Sequence, residues 1–204
     1  MYQCNIFIGS GGGHHLLQHA FELRRQVFVE QLGWPLTVDA AGREVDEFDH
    51  EGTRYVVLSR HGQVMATTRL LPSDGPCLLY DVYGWTVTEP SERGRQVWEG
   101  SRMAVRPDLD AAQSRYWAAA VLFEAGKDAA PQGVTRFVTL SDPVLERVLA
   151  RAGAAPRRLG PVAVDSHGFK TLPLEIDCDE VTISNLYHQG MVPYAGRVAA
   201  REAA

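Results

Sequence analysis

Charged residues in apolar company are where this sequence has room for chemistry. The stretch WEGSRMAV, residues 98 to 105, places Glu99, Ser101 and Arg102 inside what reads as a buried strand. Arg24 sits among Leu23, Val27 and Phe28 on a helical pattern, and Arg69 interrupts ATTRLL. A guanidinium near a core needs carboxylate partners, because an unpaired buried charge costs several kcal/mol. The segment VDEFD supplies Asp46 and Asp49, and Glu99 is the third candidate partner. Such clusters serve either as a structural ion network or as an active site, and the residue types leave both open. A carboxylate raised in pKa by burial can also work as a general base.

Other motifs carry less. GSGGG, residues 9 to 13, has glycines that would let backbone N–H groups approach an anion, but it lacks the Lys-Ser/Thr ending of a P-loop and the GxGxxG spacing, so it reads as a turn. His14 and His15 are adjacent, which does not converge two rings on one metal, and no metal site is expected. No Ser nucleophile elbow or Cys-His signature supports a hydrolase.

The elements that must position these residues alternate. YQCNIFIG reads as a strand, and HLLQHAFELRRQVFVEQLGW as a helix ending near Gly33. Residues 35 to 53 are acidic and turn-rich, and read as a mobile loop. TRYVVLSR and QVMATTRLLP form a hairpin across HGQ, and QVWEGSRMAV is a third strong strand. A long helix follows Pro107, then the strand VTRFVTLSD and the helix PVLERVLARAG. Strands near 161–165 and 168–177 complete the pattern, and the last dozen residues read as frayed. Interleaved strands and helices make an α/β fold, one sheet covered by helices, in a single domain spanning 1–204.

Bulk properties exclude several classes. The net charge of −5 over 204 residues is no nucleic-acid footprint. The three cysteines, Cys4, Cys77 and Cys178, are far apart and odd in number, which points to reduced thiols in a cytoplasm. No apolar run reaches ~18 residues, and the first residues lack a signal peptide's basic start and apolar stretch, so neither a membrane span nor a signal peptide is expected.

LRRQVFVEQLGW, EVDEFD, TRLLP and WEGSRMAV, in that order and spacing, resemble the acyl-homoserine-lactone synthases of the LuxI type, from about residue 20 to 106 and more weakly to about 177. The resemblance implies a GNAT-like fold, a mixed twisted sheet flanked by helices with a V-shaped cleft between two central strands. It implies an acyltransferase that joins S-adenosylmethionine to an acyl thioester and then closes the lactone, releasing methylthioadenosine. S-adenosylmethionine is then a substrate, and no cofactor is needed.

By position, the resemblance puts Glu99, Ser101 and Arg102 at the catalytic segment. Arg24, Phe28, Trp34, Asp46, Asp49, Arg69 and Tyr83 fall on the adenosylmethionine side and its ion network; a phenylalanine is more usual where Tyr83 stands. Met103, Val121, Leu122, Val138, Thr139 and Leu140 are candidates for the acyl pocket, and the helix after MAVRP would offer N-terminal N–H groups to the pantetheine arm. Arg147 and Arg151, four apart on a helix with Arg157 and Arg158 beyond, form a basic face suited to an acidic acyl-carrier protein. Carrier protein is thus the favoured donor and acyl-CoA the alternative, and nothing in the sequence sets an oligomeric state. Two other readings compete: a GNAT acetyltransferase using acetyl-CoA, whose Q/R-x-x-G-x-G/A loop is absent from RPDLDAAQSR, and a non-catalytic adenosylmethionine-binding module.

Overall fold

The computed structural model describes residues 2–11 and 13–200, the last four of these by backbone alone. Strand β1 (Gln3–Ile8) precedes helix α1 (His15–Arg24), which widens into a π-helical turn over Arg25–Gln31 and stops at Gly33, φ +69°. Strands β2 (Arg54–Arg60) and β3 (Gln63–Pro72) form the expected hairpin, with positive φ at both His61 and Gly62, as a tight primed turn requires. A one-turn helix α2 (Leu78–Asp81) leads to β4 (Val97–Val105), α3 (Ala111–Ala129), β5 (Arg136–Ser141) and α4 (Pro143–Ala152). Short strands β6 (Arg157–Arg158) and β7 (Ala163–Val164) precede β8 (Lys170–Asp177).

The last dozen residues are not frayed up to Ala200. The chain after β8 is helical, as α5 (Glu180–Asn185), a π-helical turn over Leu186–Met191, and α6 (Val192–Ala200); residues 201–204 lie outside the described residues. Leu186 and Met191 bury against α3, which gives this segment a reason to be helical.

The sheet order is β1-β2-β3-β4-β5-β8-β6, with β7 on β8. Every pairing is antiparallel except β4 with β5. That parallel pair meets only from Val97–Arg136 to Glu99–Val138. Beyond Glu99, β4 continues beside β3 alone and β5 beside β8 alone, so the sheet splits in a V. One face carries α3, α4 and the C-terminal helices over Leu58, Leu70, Trp98 and Leu174. The other carries α1 over Tyr55, Val57 and Ala104.

Candidate active site

Glu99 sits where the two strands part. Alternation along β4 sends Val97, Glu99 and Ser101 to the α1 face, while Trp98 and Gly100 face α3. Glu99 is 1% exposed, with the apolar cluster of Leu79, Val97, Val138 and Leu159 on its face of the sheet. Its Oε2 accepts the Leu79 N–H at 2.7 Å, and its Oε1 has no partner among the described residues. Burial pushes the carboxyl pKa up, and the Leu79 N–H, Arg69, Ser101 and Arg102 pull it only part of the way back.

The arginines expected to pair with Glu99 do not. They close an alternating ring of charge with three other carboxylates. Arg24 Nε donates to Glu44 Oε2 at 2.5 Å, and Arg102 Nε to Glu44 Oε1 at 3.1 Å. Arg102 Nη2 reaches Asp46 Oδ2 at 2.8 Å, and Arg69 Nη1 hydrogen-bonds Asp46 Oδ1. Arg69 Nη1 also lies 3.2 Å from Asp49 Oδ1, and Arg24 grips both Asp49 oxygens at 2.8 Å. Each guanidinium thus bridges two carboxylates, and no ring member's side chain is more than 13% exposed. Burial alone would raise the Asp49 carboxyl, but the hydrogen bonds and charge of Arg24, with Arg69, hold it well below the usual carboxylate range.

Glu44 was missed by sequence reasoning, which counted Glu99 in its place. The available signal was REVDEFD, where Glu44 stands two before Asp46. The segment 35–53, read as a mobile loop, is irregular but pinned: Glu44, Asp49 and Thr53 are buried, and Val38 bridges Glu44.

The ring reaches the cleft through Arg102. In the β3–β4 register Arg69 faces Ser101 and Thr67 faces Ala104, so Arg102 and Met103 together oppose Thr68. This is a β-bulge, and Arg102 takes φ +52°, a left-handed conformation costly for a non-glycine residue. The bulge brings Arg102 to the same face as Ser101, against the alternation. Arg69 Nε donates to the Ser101 hydroxyl at 3.0 Å, which fixes its orientation.

Above this floor opens a cleft of about 320 Å³. Phe28, Trp34, Tyr83, Ser101, Arg102 and Met103 line it. Trp34 stacks on Phe28 at 5.0 Å between centroids, and the Arg102 guanidinium lies 5.8 Å from the Phe28 ring. The π-helical turn holds Phe28 there, a local widening often found at functional sites. Arg24, Asp46, Asp49 and Arg69 do not line the cleft; they lie beneath it and hold Arg102 and Ser101. Glu99 does not line it either, although Gly100 and Ser101 do.

A second cavity of about 60 Å³ lies on the α3 face and shares Gly100, Met103, Thr139 and Leu145 with the cleft. Of the six acyl-pocket candidates, Met103, Leu122 and Thr139 line it. Val121, Val138 and Leu140 do not. Val121 packs into the α3 core, and Val138 and Leu140 project to the opposite face from Thr139, so Leu140 lines only the outer cleft. Leu70, Phe137, Ile176, Ile183 and Leu186 take their place.

The N–H groups of Ala112 and Gln113 at the start of α3 are taken by the Asp110 side chain in a capping box, so they are not offered to a ligand. Arg147 and Arg151 are exposed on α4, whereas Arg157 and Arg158 are engaged by Glu175 and Glu146.

Comparison with known proteins agrees with this geometry. The family described as Autoinducer synthase matches residues 13–186. The acyl-homoserine-lactone synthase of Pseudomonas aeruginosa is 36% identical over 141 residues, 68% of this chain and 68% of that protein. The synthase of Acinetobacter nosocomialis is 35% identical over 155 residues, 72% of this chain and 84% of that protein. The crystal structure of TofI in a ternary complex with an inhibitor and MTA superposes with a TM-score of 0.78 at 28% identity, covering 90% of this chain and 96% of that one. The mixed sheet split at β4 and β5 is the GNAT-like architecture these synthases share. The chain belongs to the autoinducer synthase family and is an enzyme of the acyl-homoserine-lactone synthase kind.

Proposed function

We propose that this enzyme acylates the amine of S-adenosylmethionine from an acyl-carrier-protein thioester at Glu99 and then closes the homoserine lactone. The observation that carries the reading is Glu99 itself: a buried carboxylate of raised pKa, one oxygen unpartnered among the described residues, at the point where the sheet opens into the cleft.

An α-ammonium has a pKa near ~8 and must lose a proton before attack. That proton passes to Glu99, with the Ser101 hydroxyl standing between the buried carboxylate and the cleft. The free amine attacks the thioester carbonyl, and the C–N bond forms. The oxyanion is met by backbone N–H groups at the Arg102–Met103 bulge, where the ladder is locally interrupted. Collapse breaks the C–S bond, and the second amine proton leaves with the thiol. The substrate's own carboxylate then attacks its γ-carbon, breaking the bond to the sulfonium and releasing neutral methylthioadenosine. The sulfonium is a good leaving group, so this step asks mainly for alignment. Phe28 and Trp34 cover the site and exclude water.

The acyl chain enters the inner cavity past Gly100, Met103 and Thr139. Carrier protein is favoured as donor because Arg147 and Arg151 are exposed together on α4. The loop before α3, which a coenzyme A diphosphate would approach, instead exposes Asp108 and Asp110.

The test supplies the purified protein with S-adenosylmethionine and matched acyl-carrier protein or acyl-CoA, and identifies products by mass spectrometry. Equimolar lactone and methylthioadenosine, formed faster from the carrier protein, support the reading. An acylated amine that keeps its adenosyl group contradicts the lactonisation step, and turnover of acyl-CoA alone contradicts the donor.

A further inference from the structure

The N–H that reaches Glu99 belongs to a short and weak element. α2 is four residues long, far below the length at which a helix holds on its own, and its N-cap Cys77 makes no side-chain bond to it. Its inner side meets the cleft through Leu78. Its outer side is tied to residues 91 to 94, the chain that leads into β4, and Arg93 is the centre of that tie. Arg93 Nη1 and Nη2 donate to the two Asp81 oxygens at 2.7 and 3.2 Å, Nη2 also to the Gly75 carbonyl at 2.8 Å, and Nε to the Ser73 carbonyl. Asp81 Oδ2 in turn accepts the Cys77 N–H at 2.8 Å, which fixes the chain just before Leu79. The Arg93 guanidinium lies 5.7 Å from the Tyr80 ring, and the Tyr80 hydroxyl donates to the Glu92 carbonyl at 2.9 Å. The Arg93 and Asp81 side chains are 41% and 36% exposed and stand outside the cleft lining. An exposed ion pair adds little stability on its own, and this one is better explained by what it positions.

We propose that Arg93 is a positioning residue for Glu99: by clasping the segment from Ser73 to Asp81 it keeps the Leu79 N–H on the carboxylate. The inference rests on Glu99 being the base. A hydrogen bond to an ionised carboxylate favours that form, so the Leu79 N–H offsets part of what burial does to Glu99. The other polar groups facing Glu99 come from several elements. Arg69 belongs to β3, and Ser101 and Arg102 to β4. The Cys77 thiol, pushed up to about 11 by burial, is neutral at pH 7. β5 and the chain between β6 and β7 face Glu99 with apolar Val138 and Leu159. Of the groups that favour the ionised form, only the Leu79 N–H lies in the clasped segment. Releasing the clasp therefore weakens that one bond, moves the Glu99 pKa further up and leaves the ion ring beneath the cleft untouched.

Thermal melts read the Glu99 titration without any turnover. Wild type loses stability relative to Glu99→Gln as pH rises from the unfolded carboxylate value of ~4.3, and the difference levels off at the folded pKa. With Arg93→Ala in both proteins, the levelling-off point is expected about one pH unit higher, the shift that losing one hydrogen bond to a charge produces. Arg93→Lys, which keeps the charge but not the fork, is expected to fall between the two. The acid limb of kcat/KM should move in the same direction by the same amount. Levelling-off at the same pH in both backgrounds overturns the proposal, and so does an Arg93→Ala protein that melts lower without moving that point. If Arg93→Ala does not fold, Asp81→Asn breaks the same ion pair, and an unmoved point there overturns the proposal equally. The mechanism fails separately. An acid limb that persists in Glu99→Gln removes Glu99 as the base, whereas a limb that vanishes there, with a levelling-off point that Arg93→Ala leaves in place, sinks the clasp alone.

Discussion

Asp49→Asn is nearly isosteric, yet it should be costly because of what Asp49 receives. Arg24 donates twice at 2.8 Å, the Tyr55 hydroxyl and the Asp46 N–H once each at 2.9 Å, and Arg69 approaches at 3.2 Å. Asparagine turns one acceptor oxygen into an NH₂ facing donors, and leaves a buried ring of three arginines with two carboxylates. Breaking one side of a buried pair costs about 3–5 kcal/mol. At about 2–4 °C per kcal/mol for a domain of this size, the melting temperature should drop by about 6–20 °C. The sign of the pH dependence follows from the same contacts. The folded pKa of Asp49 lies well below its unfolded value of ~3.9, so its stabilisation is complete above that pH and is lost as pH falls further. Thermal melts from pH 7 down to pH 2 test both points. Wild type should lose stability steeply below about pH 4, and Asp49→Asn should lose part of that slope. A variant melting within about 3 °C of wild type at pH 7, with an unchanged acid slope, would refute the reasoning.

Arg24→Ala and Asp49→Ala should combine to less than the sum of their separate losses in denaturant unfolding, because they share hydrogen bonds; additive losses would make them independent. Ile183 packs against Gly126 in the wall of the inner cavity, where a β-carbon on Gly126 would sit 2.8 Å from it. Ile183→Ala should shift products toward longer acyl chains by roughly fourfold per added methylene, from ~0.8 kcal/mol each, read by mass spectrometry with mixed donors; an unchanged distribution places the chain end elsewhere. Arg147→Glu with Arg151→Glu should raise the KM for acyl-carrier protein and flatten its salt dependence while leaving the adenosylmethionine KM alone, since docking between exposed charges is screened over ~8 Å. Equal use of carrier protein by variant and wild type would remove this face from docking.

The fold was legible where apolar periodicity is strong: β2, β3, β4 and α3 fall where alternation and helical spacing put them. The C-terminal helices were not, because the polar run EVTISNLYHQG hides an apolar stripe that only α3 completes. At the site, charge in apolar company found the three arginines and two of their three carboxylates. It assigned the third to Glu99 because Glu44 lies in the segment read as a mobile loop, and only the fold buries that segment against Arg24 and Arg102. Only half of the acyl-pocket candidates line the inner cavity. Val138, Thr139 and Leu140 are consecutive, so a strand must send them to different faces.

The most direct test of the account is the pH profile of acylation by wild type and Glu99→Gln. Burial raises the Glu99 pKa above its unfolded ~4.3, so the ionised form costs the fold stability as pH rises through the folded value. The glutamine variant should therefore melt at or above the wild-type temperature at pH 7 while losing about 10²-fold or more in kcat/KM. Wild-type kcat/KM should fall as pH drops through that raised pKa, and this limb should vanish in the variant. Turnover by Glu99→Gln within threefold of wild type, or an acid limb that persists without the carboxylate, would contradict the role of Glu99 as the base.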